Sequence, residues 1–488
     1  VCQCGFDPVF PGCALMGIGS SFRPPMTPFY PSFNARRLLR HLLAVLATLL
    51  LAGSIGAPIA QPYTQIATGE YHTCALLDSG GVHCWGDNFR GQLGNGISGN
   101  GQESPEPVRV AGLNTAVHIA AGTSHNCAAL RDGRVQCWGY NFRGQLGNGG
   151  TTPSSTPVLV GTVTDAIAVA AGGDHSCALR QGGGIKCWGY NGDGELGHGG
   201  SDFYLTNPVD VAGITTATAI SARHLHTCAL LASNTVKCWG RNSDGQLGDG
   251  SYVSPRRTPV DVQSLTNVSQ IAAGWLHTCA ALVSGGVVCW GSNTYGMLGT
   301  GNTTASNTWV NAYPTLTSVT AIAAGEQHSC AVRQAAGRIE CWGYNGNGRL
   351  GYGTIVGTGI TVGTAKVLGN DNFVSVSAGR THTCALTAAG SAKCWGANGA
   401  GQIGTTHFAT GGDDHAVPQF VAPRCELDID GDGIFSAATD GVLAARALAG
   451  MSGSAVTAGA LGGGATRTSW PQIRNFLIRA CGVAGLAP

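Results

Sequence analysis

Charge is what this 488-residue chain has least of: Lys and Arg number 27, Asp and Glu 26, so that 11% of residues are charged and the formal net charge is +1. With no basic stripe, the phosphate neutralisation that drives nucleic-acid binding has nothing to act through. Helical periodicity is missing through the middle of the chain, which argues against a bundle or a coiled coil. The Cys-x-x-Cys pair of redox enzymes is absent although there are 19 cysteines. Also absent are a lysine-bearing phosphate loop and a recognisable nucleophile, base and acid set.

In place of these there is glycine, 77 residues of it, and a phrase that keeps returning. His72-Thr73-Cys74 leads to Cys84-Trp85-Gly86, and His125-Asn126-Cys127 to Cys137-Trp138-Gly139. The same pattern runs through Cys177 and Cys187, Cys228 and Cys238, Cys279 and Cys289, Cys330 and Cys341, and Cys384 and Cys394. Seven copies spaced about 50 residues apart mark a solenoid, propeller or array. Each copy holds a short apolar strand ended by Gly (271–274), an alternating strand, a Gly-containing turn and a β-rich strand ending in Cys-Trp. A loop Gly-x-Asn-x-x-Gly-x-Leu-Gly (86–94) follows, then a strand with Pro-Val-x-Val at 107–110, 157–160, 208–211 and 259–262. Four short strands per unit, arranged radially, predict an all-β fold, a seven-bladed β-propeller with short, protected edges.

The N-terminal segment reads as a targeting signal. Arg36, Arg37 and Arg40 precede an apolar run at 42–52, and small residues end near Ala60, which predicts a signal peptide over 35–60 cut before Gln61. The alternative is a membrane anchor, but the run is short for a bilayer span and Gly53, Ser54, Gly56 and Pro58 break its far end. Residues 1–34 are read as a non-native or unstructured extension. Met26 makes a better start than Val1, which would leave Cys2, Cys4 and Cys13 outside the natural product. The propeller is expected over 61–423 and a separate module over 424–488.

The repeated pattern Ala-Ala-Gly-x-x-His-Thr-Cys-Ala-Leu, Cys-Trp-Gly-x-Asn-x-x-Gly-Gln-Leu-Gly resembles the regulator of chromosome condensation repeat across about 62–423. The resemblance implies a seven-bladed propeller. It implies far less about function, since the family spans nucleotide-exchange factors, a plant ultraviolet photoreceptor, ubiquitin-ligase modules and a secreted bacterial β-lactamase inhibitor. Here blades five and six lack the fourth-strand proline, and the loops leave no room for the long insertion that exchange factors use on their GTPase. The photoreceptor's Gly-Trp-Arg-His-Thr motif keeps its tryptophan only once, at Trp275.

In six copies the two cysteines lie ten positions apart, centred on the turn, and face each other across a hairpin. One hairpin offers two thiols, short of the four ligands of a structural zinc site. An exported chain meets an oxidising compartment, so seven intra-blade disulfides are expected, with reduced, paired small hydrophobes as the alternative. The blade with one extra residue is expected to hold it in a hairpin bulge. The recurring Trp is expected to pack between blades and the recurring His to bond a neighbouring backbone group.

Past the propeller, Asp428, Asp430 and Asp432 are spaced by two and followed by Gly433, which resembles the calcium loops of EF-hand and dockerin modules. The Ile434 carbonyl and Asp440 would complete the ligand set, although Asp440 stands one place beyond the usual twelfth position. A helix after the loop and another over 470–480 would make a small C-terminal helical calcium-loop module, with Cys425 and Cys481 as an eighth disulfide. The alternative is an Asp-rich solvated turn.

These residues describe an exported, non-enzymatic binding scaffold, secreted, periplasmic or at the cell surface, monomeric and without a membrane span in its mature form. Its partner would be a protein or glycan met on loops at 97–106, 151–156, 201–207, 251–258, 302–308 and 354–365, where Phe203, Tyr204 and Tyr252 are candidate anchors. An enzyme, a guanine-nucleotide exchange factor-like regulator and an inhibitor of the β-lactamase-inhibitor type are the other readings. Calorimetric titration of the 424–488 module with calcium is expected to show one bound ion, and no heat at millimolar calcium would reduce the loop to a turn.

Overall fold

Leu77 closes a tight turn on Gly81, and Gly80 inside it takes a positive φ of 90° that a side chain resists. This turn sets strands β2 (His72–Leu77) and β3 (Val82–Gly86) in a register that places Cys74 directly opposite Cys84. Their Cα atoms lie 4.0 Å apart and the sulfurs are bonded. The same pairing recurs at Cys127–Cys137, Cys177–Cys187, Cys228–Cys238, Cys279–Cys289, Cys330–Cys341 and Cys384–Cys394. Each short loop so closed stabilises by about 2–3 kcal/mol on a chain-entropy basis. The expected bulge in the sixth blade is not found: Cys330, Ala331, Val332 and Arg333 pair in unbroken register with Cys341, Glu340, Ile339 and Arg338. The ladder is intact from His328 opposite Gly343 to Arg333 opposite Arg338.

Strand β1 (Tyr63–Thr68) flanks β2, and β4 (Ser104–Arg109) flanks β3, making one antiparallel sheet in the order β1-β2-β3-β4. Six more four-stranded sheets follow at 116–159, 166–210, 217–261, 268–312, 319–366 and 373–420, each built from contiguous sequence. The computed structural model of the chain describes residues 62–334, 337–355, 360–369, 371–405 and 414–421. The signal peptide, the calcium loop of Asp428, Asp430, Asp432, Ile434 and Asp440, and Cys425 and Cys481 lie outside the described residues. Among the described residues no helix is long and apolar enough to cross a membrane.

Blades are joined at two levels. At the hairpin end, the carbonyl of the turn residue accepts the first strand N–H of the next blade: Gly80 from Ala116, Gly133 from Ala166, Gly183 from Ala217, Asn234 from Val268, Gly285 from Val319 and Gly337 from Phe373. Gly390 accepts from Tyr63, which closes the ring. Nearer the other end, Trp138 Nε1–H donates to the Gln92 carbonyl of the preceding blade at 3.0 Å, and the amide of Asn126 donates to the same oxygen at 2.8 Å. The Asn126 side-chain oxygen in turn accepts from His72 at 2.8 Å. Each later joint repeats this with a hydroxyl, as where Ser176 bonds the Gln145 carbonyl and His125, and the last runs from blade seven to blade one through His382, Thr73, Trp85 and the Gln402 carbonyl. The histidines thus bond side chains of the next blade, not backbone groups as expected, because the intervening hydroxyl or amide reaches the carbonyl first.

The seven Trp of this set are fully buried and each packs in a cluster shared by two blades. Gly94 shows how tight the joint is: a Cβ there would lie 2.8 Å from the Trp138 ring.

A hydroxyl that donates to a carbonyl accepts from the histidine, so Nε2 carries the proton. Nδ1 then has no partner in any of the seven. Burial holds His125, His175, His226, His277 and His382 neutral, with pKa values of about 3. In the unfolded chain these groups take up protons below about pH 6.5, whereas in the fold they do not. The contribution of these histidines to stability is therefore full above pH 6.5 and falls as the pH drops toward 3, by about 2 kcal/mol per such histidine at pH 5. Melting curves between pH 7 and 4 are expected to show a steep loss of Tm with uptake of several protons on unfolding, and uptake of one or none would refute the neutral ring.

Candidate protein-binding face

In an up-and-down blade the connections alternate ends. The turns between first and second strands and the loops between third and fourth strands therefore share one end of the propeller, and the hairpins occupy the other. This loop face is organised by a buried Asn in every blade. Asn88 Oδ1 accepts from Leu93 N at 3.0 Å, and Gln92 Oε1 accepts from Arg90 N at 2.8 Å, which fixes the turn 87–94. The same Asn bond recurs at Asn141, Asn191, Asn242, Asn293, Asn345 and Asn398. The two residues after the Asn vary among the blades, from Phe-Arg in blades one and two to Gly-Asp, Ser-Asp and Thr-Tyr in blades three to five, and in these five blades they lie at least partly exposed.

Phe203 and Tyr252 project into solvent on this face, 52% and 54% exposed. Tyr204, also exposed, is the first residue of the fourth strand of blade three (Tyr204–Asp210), so the loop there is shorter than 201–207. The fourth strands of blades one, two, four and five likewise begin at Ser104, Ser154, Arg256 and Ser306, inside the expected loops. Phe203 and Tyr204 belong to blade three and Tyr252 to blade four; Phe203 packs edge-on against Tyr190 at 5.0 Å.

Sequence reasoning passed over Phe89, Arg90, Phe142 and Arg143, the variable pair inside an otherwise constant turn. Variation within a fixed frame was the available signal. Arg90 lies over Phe89, Tyr140 and Phe142, at 4.8, 5.0 and 5.7 Å from the ring centroids. Arg143 lies over Phe203 and Tyr190, at 4.9 and 5.8 Å.

At the axis, on the same face, the turns before each His bring a second group together. Arg380 pairs with Glu70 and, at 3.0 Å, with Glu326, and donates to the Tyr71 hydroxyl at 2.7 Å. It also lies over Trp275, which stacks on His224 at 4.0 Å. Blade four alone has Arg where the other six have the Gly of the Gly-x-x-His turn. That residue, Arg223, crosses the channel and donates to the Thr68 carbonyl of blade one at 3.2 Å. Burial lowers its pKa to about 10, so it stays charged at neutral pH. A salt-linked, arginine-plugged channel mouth is a rigid surface. Among the described residues no group of three or more His, Cys, Asp or Glu converges to hold a metal.

Glu195 stands where Gln92, Gln145, Gln246 and Gln402 stand in other blades. One of its oxygens accepts from Asp193 N at 2.9 Å and the other has no partner. Burial raises its pKa to about 8. The fold therefore holds a proton that the unfolded chain releases near pH 4.5, and stability falls as the pH rises from there to 8, by roughly 4–5 kcal/mol in all. Glu195→Gln is expected to raise Tm, with a gain that grows from pH 5 to pH 8, and a gain independent of pH would show that the carboxyl is not buried as a neutral acid.

A family model described as RCC1-like domain matches residues 50–361, and one described as regulator of chromosome condensation (RCC1) repeat matches 373–402. The chain is similar to the probable E3 ubiquitin-protein ligase HERC6 of Homo sapiens, 33% identical over 308 residues, covering 62% of this chain and 25% of that protein. It is also similar to the ultraviolet-B receptor UVR8 of Arabidopsis thaliana, 32% identical over 299 residues, covering 60% of this chain and 67% of the receptor. The chain thus spans about a quarter of the length of the ligase. Among solved structures, Prp20p of Saccharomyces cerevisiae superposes with a TM-score of 0.61 at 21% identity, covering 76% of this chain and 89% of that one. Human WBSCR16 superposes with a TM-score of 0.60 at 22% identity, covering 68% and 88%. At such identities the structures speak for the fold alone.

Proposed function

The chain belongs to the RCC1-like domain family, and from that premise we propose that it is an exported binding scaffold whose loop face docks a macromolecular partner and performs no chemistry. The observation that supports this most is where the exposed aromatics stand. Among the described residues, Tyr71, Phe89, Phe142, Phe203, Tyr204, Tyr252 and Phe420 are the exposed ones, and all but Phe420 lie at the loop end. Aromatic side chains with Arg are the residues from which binding hot spots are built.

Seven intra-blade disulfides point to an oxidising environment. Together with the signal-peptide reading, this favours secretion, the periplasm or the cell surface. The calcium module at 424–488 belongs to the same proposal as an appendage with its own ion.

Phe89→Ser, Phe142→Ser, Phe203→Ser and Tyr252→Ser, combined in the full chain, remove the anchors and leave the buried frame untouched. Capture of partners from the extracellular fraction is expected to fall by about tenfold or more, while Val117→Ser with Ile167→Ser, exposed at the hairpin end of the first strands of blades two and three, leaves it unchanged. Undiminished capture by a folded four-residue variant would move the binding surface elsewhere.

A further inference from the structure

The turn Asn-Phe-Arg-Gly-Gln-Leu-Gly-Asn-Gly occurs twice, at 88–96 and 141–149. In blade three the corresponding pair is Gly192-Asp193, yet a ring still stands in place, because Phe203 comes in from the loop and packs on Tyr190. The result is one ridge across three blades: Phe89, Arg90, Tyr140 with Phe142, Arg143, and Tyr190 with Phe203. The backbone of both arginines is fixed from below, where the main-chain N–H of Arg90 and of Arg143 donates to the side-chain oxygen of Gln92 and of Gln145 at 2.8 and 2.9 Å.

Neither guanidinium makes an ion pair among the described residues. The acids close by are engaged. Asp87 accepts from Phe89 N and Gln92 Nε2, at 2.9 and 2.6 Å. Asp174, which feels the charge of Arg143, accepts from Gln145 Nε2 at 3.0 Å. A guanidinium stacked on rings keeps its planar edge of donors free for a carboxylate. The rings beside it offer apolar area, with Phe89 46% and Phe142 52% exposed.

We propose that this ridge receives an extended acidic segment of a partner protein, in which carboxylates alternate with apolar side chains. The inference rests on the docking reading above and names the chemistry of the partner. Two cations separated by rings match isolated carboxylates separated by apolar residues. A continuous polyanion such as a sulfated glycan matches less well, because it brings no apolar side chains to cover the exposed rings of Phe89, Phe142 and Phe203 between the two cations.

The test uses the full chain and a labelled peptide repeating Asp-Phe-Asp-Leu, followed by fluorescence anisotropy at low and physiological salt. The matching Lys-Phe-Lys-Leu peptide and heparin serve as competitors. The acidic peptide is expected to bind, to weaken with salt, and to resist both competitors. Arg90→Gln with Arg143→Gln is expected to weaken binding by about tenfold or more. The corresponding Lys pair should restore part of it, since an ammonium keeps the charge and loses the planar fork. Arg131→Gln, at the hairpin end, should change nothing. No binding at millimolar peptide, equal binding to the Gln double variant, or displacement by heparin would each overturn the proposal. If the four-residue aromatic variant loses partner capture while the Gln double variant keeps it, the face remains a docking surface and the acidic partner is ruled out.

Discussion

One main-chain carbonyl in each blade holds the propeller shut. The oxygen of Gln92, and its equivalents through Gln402, accepts the indole of the following blade and a hydroxyl or amide beside it. That second donor is spoken for, so it accepts from a histidine of the blade it came to meet. Trp must then follow the second cysteine, and His must stand two before the first, with a small polar residue between. The spacing repeated along the chain is the imprint of this joint. Its cost is a set of histidines with a bare ring nitrogen in a dry interior, which is tolerable only while the imidazoles stay neutral.

The joint also explains how the face can be both variable and stiff. The carbonyl belongs to the turn whose Asn and Gln side chains tie the loop to its own backbone. The side chains at the positions between them are left out of that frame, which lets blades one, four and five hold Phe-Arg, Ser-Asp and Thr-Tyr there. Anchors set on such a frame lose little conformational entropy when a partner arrives, so more of the contact energy remains as affinity. The ion pairs of Arg380 and the reach of Arg223 across the channel brace the mouth in the same sense.

Blade number, strand order and cysteine pairing were legible in the sequence because each depends on residues close together in one repeat, and seven copies averaged out the noise. What lies between repeats was not. The sequence shows His72 and Asn126 as members of two different motifs, and only the ring geometry makes them partners. The arginine stacks escaped for a similar reason: Phe203 substitutes for a ring that its own turn lacks, from a position in another loop. Arg223 is visible as a departure from Gly, but where its long side chain ends depends on the width of the channel. The acidic loop beyond the propeller was read from its spacing alone.

Every blade is made of consecutive residues, and every bridge joins cysteines ten or eleven positions apart. Thiols held that close on one hairpin meet far more often than they meet any other, since closing a short loop loses little entropy. A chain threading into an oxidising space can therefore complete each crosslink soon after both cysteines emerge, before later blades exist. Fourteen cysteines would ordinarily invite scrambling, but here the correct partner is always the nearest in time as well as in space. Ring closure, which needs the first and last blades together, is left as a docking of parts already stapled.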